Sequence, residues 1–335
     1  MNTNCIRIPK RDGEHLRSKF MALGILDLDF KIRSEGDHLL MPVTSGNVEG
    51  YIVEELPMEP IVHEETDYKE LLNISEDLKE ELPRSYDVVG DIAIIKLSDP
   101  LLAYEREIGE ALMKVTPNLR MVMLDLGVKG DLRIRDLRTI AGSGTSETIH
   151  KEFGVRMVTN PAKVYFNPRL ATERARVAHD VKEGETIIDM FAGVAPFGIV
   201  ICQLADPQVI YSIDLNPEAE YFVRKNMEMN HVSKIVPITG DARERMEGLP
   251  EADRVLMNLP QMADEFLLYA LNKTKVGGKI HLHKVLDRTD VDAFTQRLMG
   301  RANMSGYKIE FDNVSELKTY SPTMSVYVFD IFRRE

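Results

Sequence analysis

The sequence contains little cysteine and no long apolar run, and both absences exclude classes of protein. Two cysteines, Cys5 and Cys202, are too few for a disulfide framework or for a cysteine metal cluster. No apolar stretch approaches the ~18 residues of a membrane-spanning helix, and the opening MNTNCIRIPKRDGEH lacks the apolar core of a signal peptide. We therefore expect a cytoplasmic protein that binds no membrane and no metal.

The chain lacks an excess of positive charge, with 42 basic against 54 acidic residues, but one segment is net positive. The chain has a net charge of −12, yet residues 129–179 hold ten basic residues against five acids. That segment carries +5 and the rest of the chain −17. Because the distribution of charge matters more than its sum, a surface that binds nucleic-acid phosphates is compatible with the composition. A solvated mixed surface is equally compatible with it.

The pattern of the chain predicts four parts. Residues 1–62 show short strands and a helix, as in a small α/β module, and the acidic residues 63–83 indicate a linker with a helix. Residues 84–180 open with a strand pair about Gly90 and form a middle domain, which is expected to bind RNA and which carries Arg133 and Glu173. In residues 181–335 strands alternate with helices, which predicts a largely parallel sheet. Its strands are expected at 186–191, 209–215, 235–240, 253–258 and 278–285.

The last part of the chain ends differently, in two strands without a helix between them, YKIEFDNVSELKTYSPTMSVYVFDIFRR. A parallel sheet that ends in an antiparallel hairpin is the arrangement of class I AdoMet-dependent methyltransferases. The predicted fold is therefore α/β and Rossmann-like, preceded by two smaller α/β domains.

The stretch TIIDMFAGVAPFGI resembles a nucleotide-binding loop that lacks one glycine. A G-x-G-x-x-G register would place glycines at 193, 195 and 198, but residue 195 is alanine. A dinucleotide needs that second glycine, because the backbone must approach the pyrophosphate closely. AdoMet has no phosphate and tolerates Ala195, so the loop favours AdoMet over the nicotinamide cofactor of a dehydrogenase.

Polar residues end four successive predicted strands: Asp189, Asp214, Asp241 and Asn258. In doubly wound sheets ligands bind at the carboxyl ends of the strands. Asp214 is placed to accept from both ribose hydroxyls, and Asp241 can accept from an adenine amino group. Four such residues in order predict an AdoMet site rather than unrelated loop caps.

The loop NLPQ after the fourth strand restricts the methyl acceptor. It lacks the nucleophilic cysteine of cytosine-C5 methyltransferases and the aromatic residue of N-P-P-Y/F loops. Asn258 offers a donor and an acceptor to a base edge, and Pro260 stiffens the turn. Methylation of a protonated ring nitrogen, such as guanine N1, also needs a base and a cation near O6. Glu173, flanked by arginines, is a candidate base, although the same pattern suits an ordinary charged helix face.

At these residues the sequence resembles a known family, the archaeal and eukaryotic tRNA (guanine-N1)-methyltransferases that modify nucleotide 37. The resemblance covers nearly the whole chain. It rests on the order and spacing of these segments: GEHLRSKFMALGILDLDFKIRSEGDHLLMPV, SYDVVGDIAII, REIGEALMKVTPNLRMV, GDLRIRDLRTIAG, TIHKEFGVRM, AKVYFNPRLATERARV, DMFAGVAPFGI, IDLNP and NLP.

The resemblance implies roles for individual residues. Glu173 takes the place of the general base, Arg133 that of the arginine at guanine O6, and Asn258 touches both cofactor and base. Tyr165 and Pro260 are expected near the target base. The expected AdoMet contacts are Arg174, Gly193, Asp214, Leu215, Asp241, Ala242 and Asn258. Ala195 stands where the family more often has glycine, and its methyl is expected beside the cofactor.

The resemblance also implies partners and leaves alternatives open. The N-terminal module would dock on the tRNA elbow while the anticodon loop enters the site, and a fold without a knot gives no reason to require a dimer. Wyosine-pathway relatives act on the same nucleotide by C7 methylation of a tricyclic precursor or by aminocarboxypropyl transfer. A non-enzymatic alternative is an RNA-binding module with a degenerate methyltransferase fold.

Overall fold

The structure, a computed structural model, describes residues 2–48, 50–60, 67–130, 132 and 134–335. Contacts divide the chain into two compact units, residues 1–66 and 67–335. The predicted boundaries at residues 62, 83 and 180 stay predictions, and residues 63–66 of the predicted linker lie outside the described part.

The first unit is a small antiparallel sheet with one helix, as its sequence pattern predicts. Its elements are β1 (Asn2–Pro9), α1 (Gly13–Ala22), β2 (Arg33–Glu35), β3 (His38–Pro42) and β4 (Val53–Pro57). The strand order is β2-β3-β1-β4. Ile6, Ile8 and Met41 of the sheet and Phe20 of the helix form its buried core. Burial of apolar surface from both elements is what stabilises a module of this size.

The second unit begins with a four-stranded sheet of order β5-β6-β7-β8 and a separate hairpin, β9-β10. The predicted strand pair about Gly90 is confirmed, because Gly90 joins β5 to β6 with a φ of 59°. The elements are α2 (Glu76–Glu81), β5 (Asp87–Val89), β6 (Ile92–Ile95), α3 (Glu105–Val115), β7 (Met121–Lys129), β8 (Ile134–Gly142), β9 (Thr148–Glu152) and β10 (Val155–Thr159).

A seven-stranded sheet of order β13-β12-β11-β14-β15-β17-β16 follows. The first five strands in this order pair in parallel and β17 pairs antiparallel to both neighbours, so the predicted methyltransferase fold is confirmed. Its elements are α4 (Ala171–Asp180), β11 (Thr186–Asp189), α5 (Pro196–Leu204), β12 (Val209–Asp214), α6 (Pro217–Met229), β13 (Ile235–Thr239), α7 (Ala242–Arg245), β14 (Ala252–Met257), α8 (Leu267–Lys273), β15 (Thr274–Asp287), α9 (Val291–Met304), β16 (Ile309–Thr319) and β17 (Met324–Arg333).

Local sequence accounts for the central elements of this sheet. All four residues of β11 are buried, as expected for a strand covered by helices on both faces. The helix α6 begins where Asn216 accepts a hydrogen bond from the N–H of Glu218, with Pro217 at its first position. One buried apolar cluster runs from β6 and β10 to α5 and α6, so the middle sheet and the large sheet share a core. In the described residues, no helix is both long and apolar enough to cross a membrane.

Candidate active site

A cavity of about 700 Å³ lies at the carboxyl ends of β11, β12, β13 and β14. The strand ends contribute Gly193, Asp214, Asp241 and Asn258 to its wall. Segments outside the parallel strands supply other wall residues: Asp125, Val128, Gly130, Leu132, Arg135, Tyr165, Asn167, Leu170, Lys318, Tyr320 and Val326. The cavity therefore forms where the sheet, the β7–β8 hairpin and the β16–β17 hairpin converge.

The loop after β11 brings its backbone close to a neighbouring segment. Gly193 has a φ of +55°, and a Cβ there would lie 2.9 Å from the carbonyl oxygen of Tyr165. Glycine satisfies both constraints at once. Ala195 is also left-handed, with a φ of 57°, but it is fully buried in the apolar cluster of Val194 and Phe197 and does not line the cavity. Its methyl group therefore packs into the core rather than beside the expected cofactor.

Two carboxylates at the strand ends face the cavity. Asp214 accepts hydrogen bonds from the N–H groups of Gly193, at 2.6 Å, and Asn216, at 2.9 Å, while burial raises the pKa of its carboxyl. Asp241 accepts from the N–H and guanidinium of Arg243, which lowers the pKa of Asp241. Each carboxylate oxygen has a second lone pair, so both groups can still accept from a ligand.

Asp189, at the end of β11, is wholly buried and does not line the cavity. One carboxylate oxygen, Oδ1, accepts a hydrogen bond from the N–H of Phe191, whereas Oδ2 has no partner in the described part of the chain. Burial, helped by the nearby Asp214, raises the pKa of Asp189 to about 7. This carboxyl therefore titrates near neutral pH.

Asn258 follows β14 and lines the cavity. Its Oδ1 is buried and accepts no hydrogen bond from any residue that the structure describes. Leaving a buried acceptor without a hydrogen-bond donor costs free energy. A donor group on a bound ligand would therefore stabilise this oxygen. Pro260 also lines the cavity, and its carbonyl oxygen accepts from the N–H of Val285 at 2.8 Å, which ties the turn to β15.

Glu173 lies in the first turn of α4, one helical turn after the cavity residue Leu170. It is only 3% exposed and does not itself line the cavity. Arg176 donates to both of its carboxylate oxygens, at 2.7 and 2.8 Å, and also to Asp330. Burial raises the pKa of Glu173, but the hydrogen bonds from Arg176 and the proximity of His283 outweigh burial and lower it to about 2. Glu173 is therefore ionised at neutral pH.

The structure places Arg174 away from the cavity. Its side chain is 1% exposed and forms an ion pair with both carboxylate oxygens of Glu152, at 2.5 Å each. It also donates to the carbonyl oxygen of Asn167, which does line the cavity. Arg174 therefore links α4 to β9 inside the protein. Its predicted contact with a cofactor stays a prediction.

The remaining predicted residues lie at the cavity or outside the described chain. Tyr165, Leu215 and Ala242 line the cavity. Arg133 lies outside the described residues, although its neighbours Leu132 and Arg135 are both wall residues. Three of the four predicted strand-end residues thus meet at the cavity, whereas Asp189, Glu173 and Arg174 do not line it.

Three family models match the chain: a TRM5/TYW2 methyltransferase domain over residues 148–310, a TYW2 N-terminal domain over residues 68–145 and a tRNA methyltransferase 5 N-terminal domain over residues 5–52. The tRNA (guanine(37)-N(1))-methyltransferase Trm5b of Pyrococcus abyssi is 39% identical over 322 residues, which cover 96% of each chain. The chain belongs to the TRM5/TYW2 methyltransferase family.

Solved structures of the TRM5/TYW2 family share this architecture. The crystal structure of Trm5b from Pyrococcus abyssi matches with a TM-score of 0.75 at 37% identity, covering 99% of this chain and 100% of that chain. The complex structure of aTrm5 and tRNALeu matches with a TM-score of 0.70 at 32% identity, covering 98% of this chain and 99% of that chain.

In this TRM5/TYW2 member, distant parts of the sequence bring further charged groups to the site. Arg135 lines the cavity and forms an ion pair with Asp87 at 2.9 Å. Arg169 forms a second ion pair with Asp87, at 2.6 Å. Lys318 of β16 lines the same cavity, and partial burial lowers the pKa of its ammonium group. In the sequence, the second arginine of LRIRDL could have indicated Arg135 as a residue of the site. Nothing local in ELKTY indicates that Lys318 reaches the site.

Proposed function

We propose that this member of the TRM5/TYW2 family methylates N1 of guanosine 37 in tRNA with AdoMet as the methyl donor. The observation that carries the proposal is a cavity at the strand ends whose wall holds Asp214, Asp241 and the unpaired acceptor of Asn258. Similarity over nearly the full length to a guanine-N1 enzyme supports this reaction over the wyosine-pathway alternatives.

The chain's own residues fit AdoMet. Asp214 with Leu215 would hold the ribose hydroxyls, and Asp241 with Ala242 the adenine. Gly193 leaves room where a side chain would meet the backbone of Tyr165. When bound, AdoMet supplies an electrophilic methyl group.

Glu173 would serve as the general base that accepts the proton of guanine N1. It is ionised at neutral pH and so ready to accept a proton, but its bonds to Arg176 reduce its basicity. Arg176 is 38% exposed and keeps two hydrogen bonds to Asp330, at 2.8 and 3.1 Å. It can therefore release Glu173 without becoming an unpaired charge, and the carboxylate then becomes a stronger base.

Cations would stabilise the charge that develops on the base as N1 loses its proton. By family resemblance Arg133 would have this role at O6, and Asn258 would hold the base edge. Arg135 and Lys318 line the cavity and would add positive potential to its wall. Such fixed charges act most strongly where water is excluded, as it would be once a flipped base fills the cavity.

The first test is transfer of a labelled methyl group to two tRNA transcripts that differ only in having G or A at nucleotide 37. Label on the G transcript alone, recovered as 1-methylguanosine after digestion, would support the proposal. Transfer of a different group, or label on neither transcript while AdoMet still binds, would contradict it and point to a modified precursor base.

We further propose that residues 1–62 dock on the tRNA elbow and that the enzyme acts as a monomer. Removal of residues 1–66, one of the two compact units, should weaken tRNA binding and leave AdoMet binding intact. Both affinities would be measured by titration at fixed salt, because phosphate contacts depend steeply on it. Unchanged tRNA affinity would refute the docking role.

A further inference from the structure

His283 of β15 is a buried titratable side chain that the proposed reaction does not yet use. It is 1% exposed, and neither ring nitrogen makes a hydrogen bond with any residue that the structure describes. Buried polar groups are nearly always hydrogen-bonded, so an exception in a protein core calls for an explanation. An apolar residue would fill the same space at lower cost.

The ring lies beside the proposed base. Nε2 of His283 is 3.3 Å from Oε1 of Glu173, close enough for charges to interact but without hydrogen-bond geometry. The ring of Phe197 packs at 6.1 Å between centroids. His283 is thus held between an apolar ring and the carboxylate.

His283 also adjoins the cavity wall. The last paired residues of β14 and β15 are Met257 and Leu282, so Asn258 and His283 are the next residue on each strand. Two residues further along, Val285 lines the cavity. His283 therefore lies near the cavity wall and beside Glu173, and both its ring nitrogens and Oδ1 of Asn258 are buried without a hydrogen-bond partner among the described residues.

We propose that His283 is the second proton site of the base, accepting from Glu173 the proton that Glu173 takes from guanine N1. The inference rests on the proposed function. First the N1–H bond breaks, its electron pair stays on N1, and an O–H bond forms at Oε1. Then that O–H bond breaks and an N–H bond forms at Nε2, which leaves an imidazolium beside a restored carboxylate. The imidazolium loses its proton to water after the product leaves.

The surroundings of His283 suit this transfer. On α4, Glu173 lies beside it, and Arg176 donates two hydrogen bonds to that carboxylate until it releases Glu173 for the reaction. On the same face of the sheet, His281 is bonded to Asp330, at 2.6 Å, and to Arg254. Those three groups are satisfied by one another, so they leave His283 as the proton acceptor next to Glu173. His283 acts on the reaction only through Glu173, so it is a positioning residue.

The test compares single-turnover methyl transfer by wild type, His283→Gln and His283→Leu across pH, with the exposed His179→Gln as the matched control. Wild type must first label the G37 transcript; if it does not, the proposed function itself fails. The relay predicts that H283Q and H283L lose on the order of 10²-fold in rate at neutral pH, with AdoMet and tRNA affinities unchanged. The acid limb of the wild-type profile should vanish in both, while H179Q keeps the wild-type rate and profile.

Melting temperature separates a relay from a structural role. Because neither ring nitrogen has hydrogen-bond geometry, H283L should stay folded and lose at most the weak stabilisation that the ring gives to the Glu173 carboxylate. Wild-type rates in H283Q and H283L, or a reduced rate with an unchanged acid limb, would overturn the proposal. Loss of the folded state in both variants would also overturn it, because the ring would then be structural.

Discussion

Replacing Glu173 by glutamine tests the proposed base and the structure around it together. Folding lowers the pKa of this carboxyl from 4.5 to about 2. A change of that size corresponds to roughly 3 kcal/mol of stability at neutral pH. Because the folded-state pKa is the lower one, this stabilisation is fully present above about pH 4.5 and is lost as the pH falls towards 2. E173Q should therefore lose up to roughly 3 kcal/mol at pH 7 and show a flatter decline in stability between pH 5 and 2.

The catalytic effect should be separate from the loss of stability. At a temperature where E173Q stays folded, single-turnover methyl transfer should fall on the order of 10²-fold or more, with tRNA affinity little changed. Glu185→Gln is a matched control, since Glu185 pairs with the buried Arg254 at 2.8 Å and does not line the cavity. E185Q should lose stability and keep its rate. An E173Q variant with the wild-type rate would refute the assignment, and an equal loss of tRNA binding and rate would make Glu173 structural.

Three further variants test other parts of the site. Burial raises the pKa of Asp189 from 3.8 to about 7, so the stability that its protonated form contributes is lost as the pH rises from about 4 to 7; Asp189→Asn should raise the melting temperature most at pH 8, less at pH 5, and barely change it below pH 4. Ala195→Gly should leave AdoMet affinity unchanged in calorimetry, because the methyl of Ala195 packs in the core; a clear gain in affinity would show that it reaches the cofactor. Lys318→Met should weaken tRNA binding and lower the slope of log affinity against log salt by about 1, and an unchanged slope would place Lys318 away from phosphates.

The strand-end part of the site could be predicted because its signals are local. A short apolar strand followed by a turn places its last polar residue at the sheet edge, and Asp214, Asp241 and Asn258 all lie at the cavity. The long-range partners around Glu173 could not be found in this way. Its partner Arg176 is held by Asp330, which is 154 residues away in the chain, and His283 reaches it from another strand. Such pairs depend on strand order and side-chain direction, which no local pattern records.

The burial of Glu173 and Arg174 also differs from what their sequence motif indicates. TERAR reads as a charged helix face, yet Glu173 and Arg174 are both buried and paired with different partners. The charge pattern predicts the residue types but not their exposure, because burial is decided by what packs against the helix. For the same reason, the loop alanine at 195 was expected beside the cofactor and lies in the core.

The position of β17 in the large sheet has a consequence for the ribosome-bound chain. Although β17 follows β16 in the sequence, it lies between β15 and β16, so β16 has no place in the sheet until β17 has been made. A nascent chain that has extended only through β16 would expose an unpaired edge at β15, a known route to aggregation. It would also lack Asp330, the carboxylate that holds both Arg176 and His281. The last strand therefore supplies both the sheet partner of β15 and the carboxylate that holds Arg176 beside Glu173.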